Sequence, residues 1–149
     1  MFVRKMIAGW GDMDFNGHMR NTSFLDKGAD IRMMFFAEHG FPAETFARLR
    51  IGPVIMKDEI DYYREVGLLD EFGVTIAAAA LSEDGSRFRI RNEFFRADGK
   101  RAARLTSSGG WLDLSARKLI VPPPDLTAAL QALPRTDDFE PLSSRRSQP

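Results

Sequence analysis

The chain has 149 residues, with 21 lysines and arginines against 21 aspartates and glutamates, so its formal net charge is zero. This balance argues against a nucleic-acid-binding protein that depends on a basic surface. The absence of cysteine excludes a disulfide framework, a thiolate zinc site and a cysteine nucleophile.

The apolar segments of the sequence are too short for a membrane span. The longest uncharged apolar run, residues 74–81, falls far short of the ~20 residues that a spanning helix needs. Residues 1–9 carry basic side chains but no apolar run behind them, which is unlike a signal peptide. We therefore expect a single cytoplasmic domain that binds neither membranes nor nucleic acids, and whose partner is a small molecule or another protein chain.

The N-terminal part of the chain predicts a short strand and a long helix. Residues 2–8 are predicted to form the strand, because turn-forming residues follow them. Residues 22–39 are predicted to form the helix, with Asn21 as a capping residue. Its apolar face repeats at i, i+4, i+7 and i+11: Phe24, Gly28, Ile31 and Phe35. Because Gly28 would cost roughly 1 kcal/mol relative to alanine, we expect a sheet to approach the helix closely there.

The middle of the chain predicts a short helical turn and four strands. The turn is expected near residues 44–48, and the strands are expected at residues 54–64, 71–81, 87–96 and 100–114. Asp-Gly pairs that are typical of hairpins separate the last three strands. Successive hairpins give an antiparallel sheet. The predicted fold class is therefore α+β, with a five-stranded antiparallel sheet wrapped around one long central helix.

The C-terminal part of the chain begins with three prolines at residues 122–124. A short helix with leucines on one face is predicted for residues 125–133. Residues 135–149 are polar and rich in serine, arginine and proline, so we expect them to be loosely held or disordered. We accordingly divide the chain into a domain of residues 1–122 and an extension of residues 123–149.

The loop before the long helix, residues 10–21, concentrates reactive side chains. It contains the carboxylates of Asp12 and Asp14, the imidazole of His18 and the amide of Asn21. The first backbone N–H groups of a helix lack intrahelical partners and carry partial positive charge, so a carboxylate beside them is suited to acyl transfer. On the residues alone, Asp14 is more typical of a turn carboxylate that caps a backbone N–H, and His18 is equally a residue that holds the loop by a hydrogen bond.

The same loop also matches the opening of an EF-hand calcium site, with Asp12, Asp14, Asn16 and Gly17 in the required order. The match fails at the twelfth position, where Ser23 stands instead of the bidentate glutamate. A predicted strand, rather than a helix, precedes the loop. The sequence therefore disfavours calcium.

A set of residues in the loop and helix carries the resemblance to a known family: Trp10, Gly11, Asp12, Met13, Asp14, Gly17, His18, Asn21, Asp30 and Arg32. The chain resembles the hotdog-fold acyl-CoA thioesterases, in particular the 4-hydroxybenzoyl-CoA thioesterase-like group. The resemblance covers residues 2–122 in the order of elements and is close in sequence over residues 12–21. It implies a hotdog fold and the hydrolysis of acyl-CoA thioesters to a free acid and coenzyme A.

The resemblance also implies roles for individual residues. The second aspartate of this loop is the family's catalytic group, which implies Asp14 as nucleophile or general base, with His18 as its neighbour. Backbone N–H groups at the start of the helix hold the thioester oxygen, which implies Asn21 and Thr22. Coenzyme A enters as the substrate thioester, with no metal and no bound redox cofactor. The implied assembly is a homodimer or homotetramer with active sites between protomers.

Side chains for binding the two ends of the substrate are expected as well. The resemblance implies basic groups on the phosphates of coenzyme A, and Arg87, Arg89 and Arg91 share one strand face, although such a face is often simply solvated. An apolar acyl pocket has five candidate side chains: Phe15, Phe24, Met33, Met34 and Tyr63.

Two other functions fit the same residues. An enoyl-thioester hydratase or dehydratase would use Asp14 with His18 for proton abstraction. A non-catalytic acyl-CoA-binding protein would keep the pocket while Asp14 stayed inert. Asp30 on the helix is an alternative base, although we prefer to interpret Asp30 and Arg32 as a polar helix face or an ion pair.

Overall fold

The computed structural model describes residues 1–144 of the chain. A short 3-10 turn (Trp10–Asp12) lies between the first strand and the first helix. The elements in chain order are β1 (Phe2–Ile7), α1 (Asn21–Glu38), α2 (Ala43–Leu49), β2 (Ile51–Tyr62), β3 (Glu71–Ser82), β4 (Arg87–Arg96), β5 (Arg101–Asp113), β6 (Lys118–Ile120), α3 (Pro124–Gln131) and β7 (Arg135–Leu142).

The strands form one sheet in the order β1-β3-β4-β5-β2, in which all neighbours are antiparallel. Two short strands extend it: β6 pairs antiparallel with β5, and β7 pairs parallel with β3 along the edge that β1 also uses. The predicted α+β hotdog fold is confirmed, with the five predicted strands present. The sheet has seven strands rather than five, because β6 and β7 were not predicted.

The helix α1 packs on the inner face of this sheet and supplies the centre of the core. Its buried apolar side chains are Phe24, Ile31, Phe35 and Phe36. They meet inward-facing residues of β3, β4 and β5: Val74, Ile76, Ile90, Phe94, Leu105 and Trp111. The apolar residues of α1, which follow the helical period, and those of the strands, which occupy alternate positions, therefore face the same interior. This packing orients the N-terminus of α1 and the loop before it.

Gly28 lies where α1 comes closest to the sheet. A Cβ atom built at this position would lie 2.5 Å from Leu105 Cδ2 and 3.1 Å from Asn92 Oδ1. Leu105 and Asn92 are themselves buried, so neither side chain has free space into which it can withdraw. The close approach predicted from this glycine is confirmed.

We expect Gly28→Ala to lower the free energy of unfolding by about 1–2 kcal/mol, because overpacking of a buried contact outweighs the roughly 1 kcal/mol gain in helix propensity. Urea unfolding of the wild type and the variant measures this difference. Gly28→Ala combined with Leu105→Val should recover part of the loss by making room for the new methyl group. A single variant as stable as the wild type would contradict the contact.

The C-terminal part differs from its prediction. The expected short helix is present as α3, but residues 135–142 form β7, so the expectation that they are loosely held is wrong. Phe139 packs against the core, and two acidic residues of β7, Asp138 and Glu140, pair with arginines of β4. Residues 135–142 are therefore held by contacts with the rest of the chain, although their composition is polar. Residues 145–149, which belong to the same prediction, lie outside the described residues.

Helix α3 packs against the rest of the chain through buried leucine side chains. Leu126 and Leu130 of α3 belong to the same buried cluster as α1 and the sheet. The proposed division at residue 122 stays a prediction. Within residues 1–144, no helix combines the length and the apolar character needed to cross a bilayer. The cytoplasmic location likewise stays a prediction.

Candidate active site

The loop before α1 folds back on itself as a small hairpin. Met13 and Met19 face each other as an isolated bridge, and the Asp14 N–H donates to the His18 carbonyl oxygen at 2.7 Å. The Gly17 N–H donates to the Asp14 carbonyl oxygen at 3.2 Å, and Gly17 has φ +82°, which suits a glycine in this tight turn. The hairpin therefore holds the backbone of Asp14 firmly.

The carboxylate of Asp14 is held by one of its two oxygens. Oδ1 accepts hydrogen bonds from the Asn16 N–H at 2.8 Å and the His18 N–H at 3.1 Å. No group in residues 1–144 donates a hydrogen bond to Oδ2. The turn-capping role and the catalytic role that the sequence left open are thus compatible, because one oxygen orients the group and the other is available for chemistry.

His18 joins the hairpin to the segment that follows β2. Its Nε2 lies 3.0 Å from Glu65 Oε2, and its backbone forms a bridge with Gly67. The neighbouring Met19 N–H donates to the Val66 carbonyl oxygen at 2.7 Å. Sequence reasoning missed Glu65, because no motif marks a residue that reaches the loop through contacts between distant parts of the chain.

The start of α1 presents backbone donors beside this hairpin. The N-cap is Arg20, not Asn21 as predicted, and Asn21 is the first helical residue. Among residues 1–144, no backbone acceptor pairs with the N–H groups of Asn21 and Thr22, in keeping with their position in the first turn. The Thr22 hydroxyl accepts a hydrogen bond from Arg20 Nε at 3.0 Å. These free N–H groups carry the positive end of the helix dipole.

Two cavities open beside Asp14. The first, the polar cavity, has a volume of about 380 Å³ and is lined by Asp14, His18, Met19, Asn21, Phe24, Tyr62, Tyr63, Arg64 and Glu65. It brings together three of the four predicted catalytic residues, while Thr22 lies next to them in the helix. The second, the apolar cavity, has a volume of about 510 Å³ and is lined by Trp10, Met13, Asp14, Phe15, Gly17 and Leu68.

The aromatic wall of the polar cavity is anchored in the core. Phe24 and Tyr62 meet edge to face with ring centroids 5.5 Å apart, and burial raises the pKa of Tyr62. The candidate acyl-pocket residues divide between the two cavities. Phe24 and Tyr63 line the polar cavity and Phe15 lines the apolar cavity, whereas Met33 and Met34 line neither.

Asp12 occupies a different environment from Asp14. Its Oδ2 accepts a hydrogen bond from the Gly9 N–H at 2.8 Å and lies 3.6 Å from Lys27 Nζ. Burial raises the pKa of Asp12, but the Gly9 hydrogen bond and the Lys27 charge outweigh this effect, so the pKa lies below its ordinary value. Asp12 thus fastens the loop to α1. No cluster of potential metal ligands occurs within residues 1–144.

Asp30 and Arg32 line neither cavity. Asp30 is exposed, whereas Arg32 reaches the sheet, where its Nη1 donates to Ser107 Oγ at 3.4 Å. The Ser107 hydroxyl donates in turn to Asp58 Oδ1 at 2.5 Å. Burial lowers the pKa of Arg32, and the charge of Asp58 opposes that effect. The arrangement favours a structural role for Arg32.

Three of the four arginines of β4 bind the C-terminal segment. Arg87 donates to the Ser143 carbonyl oxygen at 3.0 Å, and Arg89 pairs with Glu140 at 2.6 Å. Arg91 donates to both carboxylate oxygens of Asp138, at 2.9 and 3.2 Å. The Arg91 hydrogen bonds lower the pKa of Asp138 to about 2. These contacts give all three arginines partners within the chain, and their predicted role as phosphate ligands stays a prediction.

The family follows from comparison with known proteins. A family model described as the thioesterase-like superfamily matches residues 8–130, which include the hairpin, α1 and strands β2 to β6. The chain belongs to the thioesterase-like superfamily. This match confirms the resemblance predicted from the loop and helix, and it confirms the enzyme class, acyl-CoA thioesterase, at the level of the superfamily. A comparison with curated proteins finds no match.

Solved structures share the fold of this thioesterase-like chain at low sequence identity. The protein SAV2348 from Staphylococcus aureus, solved in complex with CoA, is 18% identical, with 91% of this chain and 87% of that chain covered and a TM-score of 0.79. Slr0204, a 1,4-dihydroxy-2-naphthoyl-CoA thioesterase from Synechocystis, is 18% identical, with 89% and 96% covered and a TM-score of 0.76. A DHNA-CoA thioesterase from Staphylococcus aureus is 15% identical, with 87% of each chain covered and a TM-score of 0.79.

Proposed function

We propose that the protein hydrolyses acyl-CoA thioesters to a free acid and coenzyme A, with Asp14 as the catalytic carboxylate. The observation that carries this proposal is the placement of Asp14 in one cavity with the first residue of α1. A carboxylate with one free oxygen and a helix N-terminus with free N–H groups are the two components that thioester hydrolysis needs. The superfamily match and the CoA thioesterases among the solved structures of the same fold support the same reaction.

The reaction has two routes that start from the same arrangement. The N–H groups of Asn21 and Thr22 polarise the thioester carbonyl and stabilise the negative charge that develops on its oxygen. Asp14 Oδ2 either attacks the carbonyl carbon, giving a mixed anhydride that water then hydrolyses, or accepts a proton from the attacking water. In both routes the C–S bond breaks and coenzyme A leaves as a thiolate, which takes a proton from solvent or, in the second route, from the Asp14 carboxyl that accepted the proton of water. His18 contributes by fixing the orientation of the Asp14 carboxylate through its backbone N–H.

Arg64 is the cation that we assign to the coenzyme A side of the site. It lines the polar cavity together with Asp14, and its Nη1 donates to the Arg101 carbonyl oxygen at 2.8 Å. This bond fixes the direction of the guanidinium and leaves its remaining N–H groups for an anionic ligand. A role for Arg87, Arg89 and Arg91 on the phosphates would require their contacts with residues 138–143 to open.

Thiol release tests the proposed function. The purified protein is incubated with short-chain, long-chain and aromatic acyl-CoAs, and free thiol is measured over time. Hydrolysis of any member above the buffer rate is the expected result. Addition of water to an enoyl-CoA without thiol release would instead identify a hydratase, and tight binding without turnover would identify a binding protein. Either of these results would overturn the proposal.

We further propose that the protein assembles as a homodimer through the edge of β2. Within residues 1–144, β2 pairs on one side with β5 and has no strand on the other, and an open edge invites pairing with a second copy. Met56 and Tyr62 are exposed on this strand. A homotetramer would add a second interface elsewhere.

Sedimentation at micromolar concentration should therefore show at least twice the mass of the 16.8 kDa chain. Met56→Glu should shift the distribution towards monomer, because a charge then lies at the contact. Met34→Glu is the matched control, since Met34 is an exposed methionine on α1 rather than on β2. A single species of 16.8 kDa in the wild type would contradict the dimer.

A further inference from the structure

We propose that the acyl group of the substrate is an aliphatic chain, and that it lies in the apolar cavity against Trp10, Phe15 and Leu68. This inference rests on the proposed thioesterase reaction and names its substrate class. The observation behind it is that Asp14 lines both cavities, whose other lining residues differ completely.

The scissile carbonyl carbon carries two substituents, which extend away from the reacting carboxylate in different directions. One is the sulfur with the long polar chain of coenzyme A, and the other is the acyl tail. Two cavities that meet at Asp14 provide one direction for each. The chemistry of the linings decides which substituent goes where, because polar and apolar groups are stabilised by like surroundings.

The linings of the two cavities differ in chemical character. The polar cavity is lined by the charged or hydrogen-bonding side chains of His18, Asn21, Arg64 and Glu65 beside apolar and aromatic ones, and its donors can pair with the amides and phosphates of coenzyme A. The apolar cavity is lined, apart from Asp14 and Gly17, by large apolar side chains: Trp10, Met13, Phe15 and Leu68. The acyl tail therefore belongs in the apolar cavity.

The side chains around the apolar cavity are unusually exposed for their type. Trp10 is 83% exposed, and Phe15 at the tip of the hairpin is fully exposed. Exposed apolar groups that cluster beside a reactive carboxylate are typical of a ligand-binding surface. An acyl chain laid between these rings and Leu68 would cover them on binding.

The lining favours an aliphatic chain over an aromatic acid. Hydroxylated aromatic acyl groups need hydrogen-bonding side chains that recognise their ring substituents, and a site without those groups cannot select for them. The hydrogen-bonding side-chain groups that line this cavity are limited to the Asp14 carboxylate and the indole N–H of Trp10. The cavity is also open along the exposed Trp10 and Phe15, so an extended chain can continue past the enclosed part.

The test compares kcat/KM for acetyl-, hexanoyl-, decanoyl- and benzoyl-CoA in the wild type and two variants. In the wild type we expect kcat/KM to rise from acetyl- to decanoyl-CoA, by up to about fourfold for each methylene that contacts the wall. Decanoyl-CoA should also exceed benzoyl-CoA. Leu68→Asn keeps the side chain's size but makes the wall polar, and should lower the decanoyl-to-acetyl ratio about tenfold.

Leu69→Asn is the matched control. Leu69 is the next residue, is 70% exposed, does not line the cavity and has φ +65°, a conformation that asparagine tolerates better than leucine. Its decanoyl-to-acetyl ratio should equal that of the wild type. An equal ratio in Leu68→Asn and the wild type would overturn the inference, as would a wild type that prefers benzoyl-CoA. So would a change of sedimentation in Leu68→Asn without a change of the ratio, because the surface would then contact a second copy.

Binding separates this inference from the thioesterase proposal. Calorimetry on Asp14→Asn, with and without Leu68→Asn, measures the Kd of decanoyl-CoA without turnover. A Kd about tenfold weaker in the double variant supports the acyl site even if the wild type hydrolyses no thioester. An unchanged Kd overturns the acyl site even if hydrolysis is observed.

Discussion

Asp14→Asn is expected to reduce acyl-CoA hydrolysis by roughly 10²- to 10⁴-fold, the range that general-base catalysis contributes. Asparagine retains the oxygen that accepts hydrogen bonds from the Asn16 and His18 N–H groups, so the hairpin should keep its conformation. The substitution replaces the free carboxylate oxygen by an amide, which neither attacks a thioester nor accepts a proton from water. Thiol release under saturating acyl-CoA measures the rate, and calorimetry confirms that the ligand still binds.

Asp12→Asn provides the comparison within the same loop. The amide oxygen of the new side chain would still accept the Gly9 hydrogen bond, but the attraction to Lys27 would be lost, so the variant should lose some stability and keep most of its rate. If Asp14→Asn keeps more than about a tenth of the wild-type rate, the loss is too small for the assigned role. Asp30 on α1 would then be the next carboxylate to substitute.

The reactive loop and α1 could be predicted because their signals are local. Glycine at the turn, polar residues before an apolar helix and the spacing of Phe24, Ile31 and Phe35 are all visible within a short window of sequence. The residues on the other side of the polar cavity could not be predicted, because they are distant from the loop in the sequence. Tyr62, Arg64 and Glu65 come to the hairpin through pairings between distant segments, and no local pattern encodes that contact.

The wrong prediction that residues 135–142 are loosely held has the same cause, because their contacts are also with distant parts of the chain. Residues 135–142 contain few apolar side chains, and composition alone therefore favoured disorder. Their partners lie on β4, where Arg89 and Arg91 are spaced to meet Glu140 and Asp138. The arginines of β4 were expected to contact the phosphates of coenzyme A or to lie on a solvated strand face, because complementary charge in a distant part of the chain is not visible in a local pattern.

Deletion of residues 135–149 is accordingly expected to lower the melting temperature by about 5–10 °C. The deletion removes Phe139 from the core and exposes the edge of β3 from Ala78 to Ser82, which β7 covers in the structure. For a chain of this size, each kilocalorie per mole of lost stability shifts the midpoint by roughly 2–4 °C. Thermal unfolding followed by circular dichroism measures the shift. An unchanged midpoint would show that β7 adds nothing to the folded domain.

Two further variants separate the forces that hold β7. Asp138→Asn with Glu140→Gln removes both ion pairs while keeping the strand, and should lower the midpoint by less than about 2 °C because both carboxylates are exposed to screening by solvent. Phe139→Ala keeps the ion pairs but removes the ring that packs on the core and lies under Arg135, at 4.2 Å from the guanidinium carbon. Phe139→Ala should therefore account for more of the loss than the double variant. The opposite order would mean that charge, rather than burial, attaches this strand to the sheet, and added salt should then lower the wild-type midpoint by a similar amount.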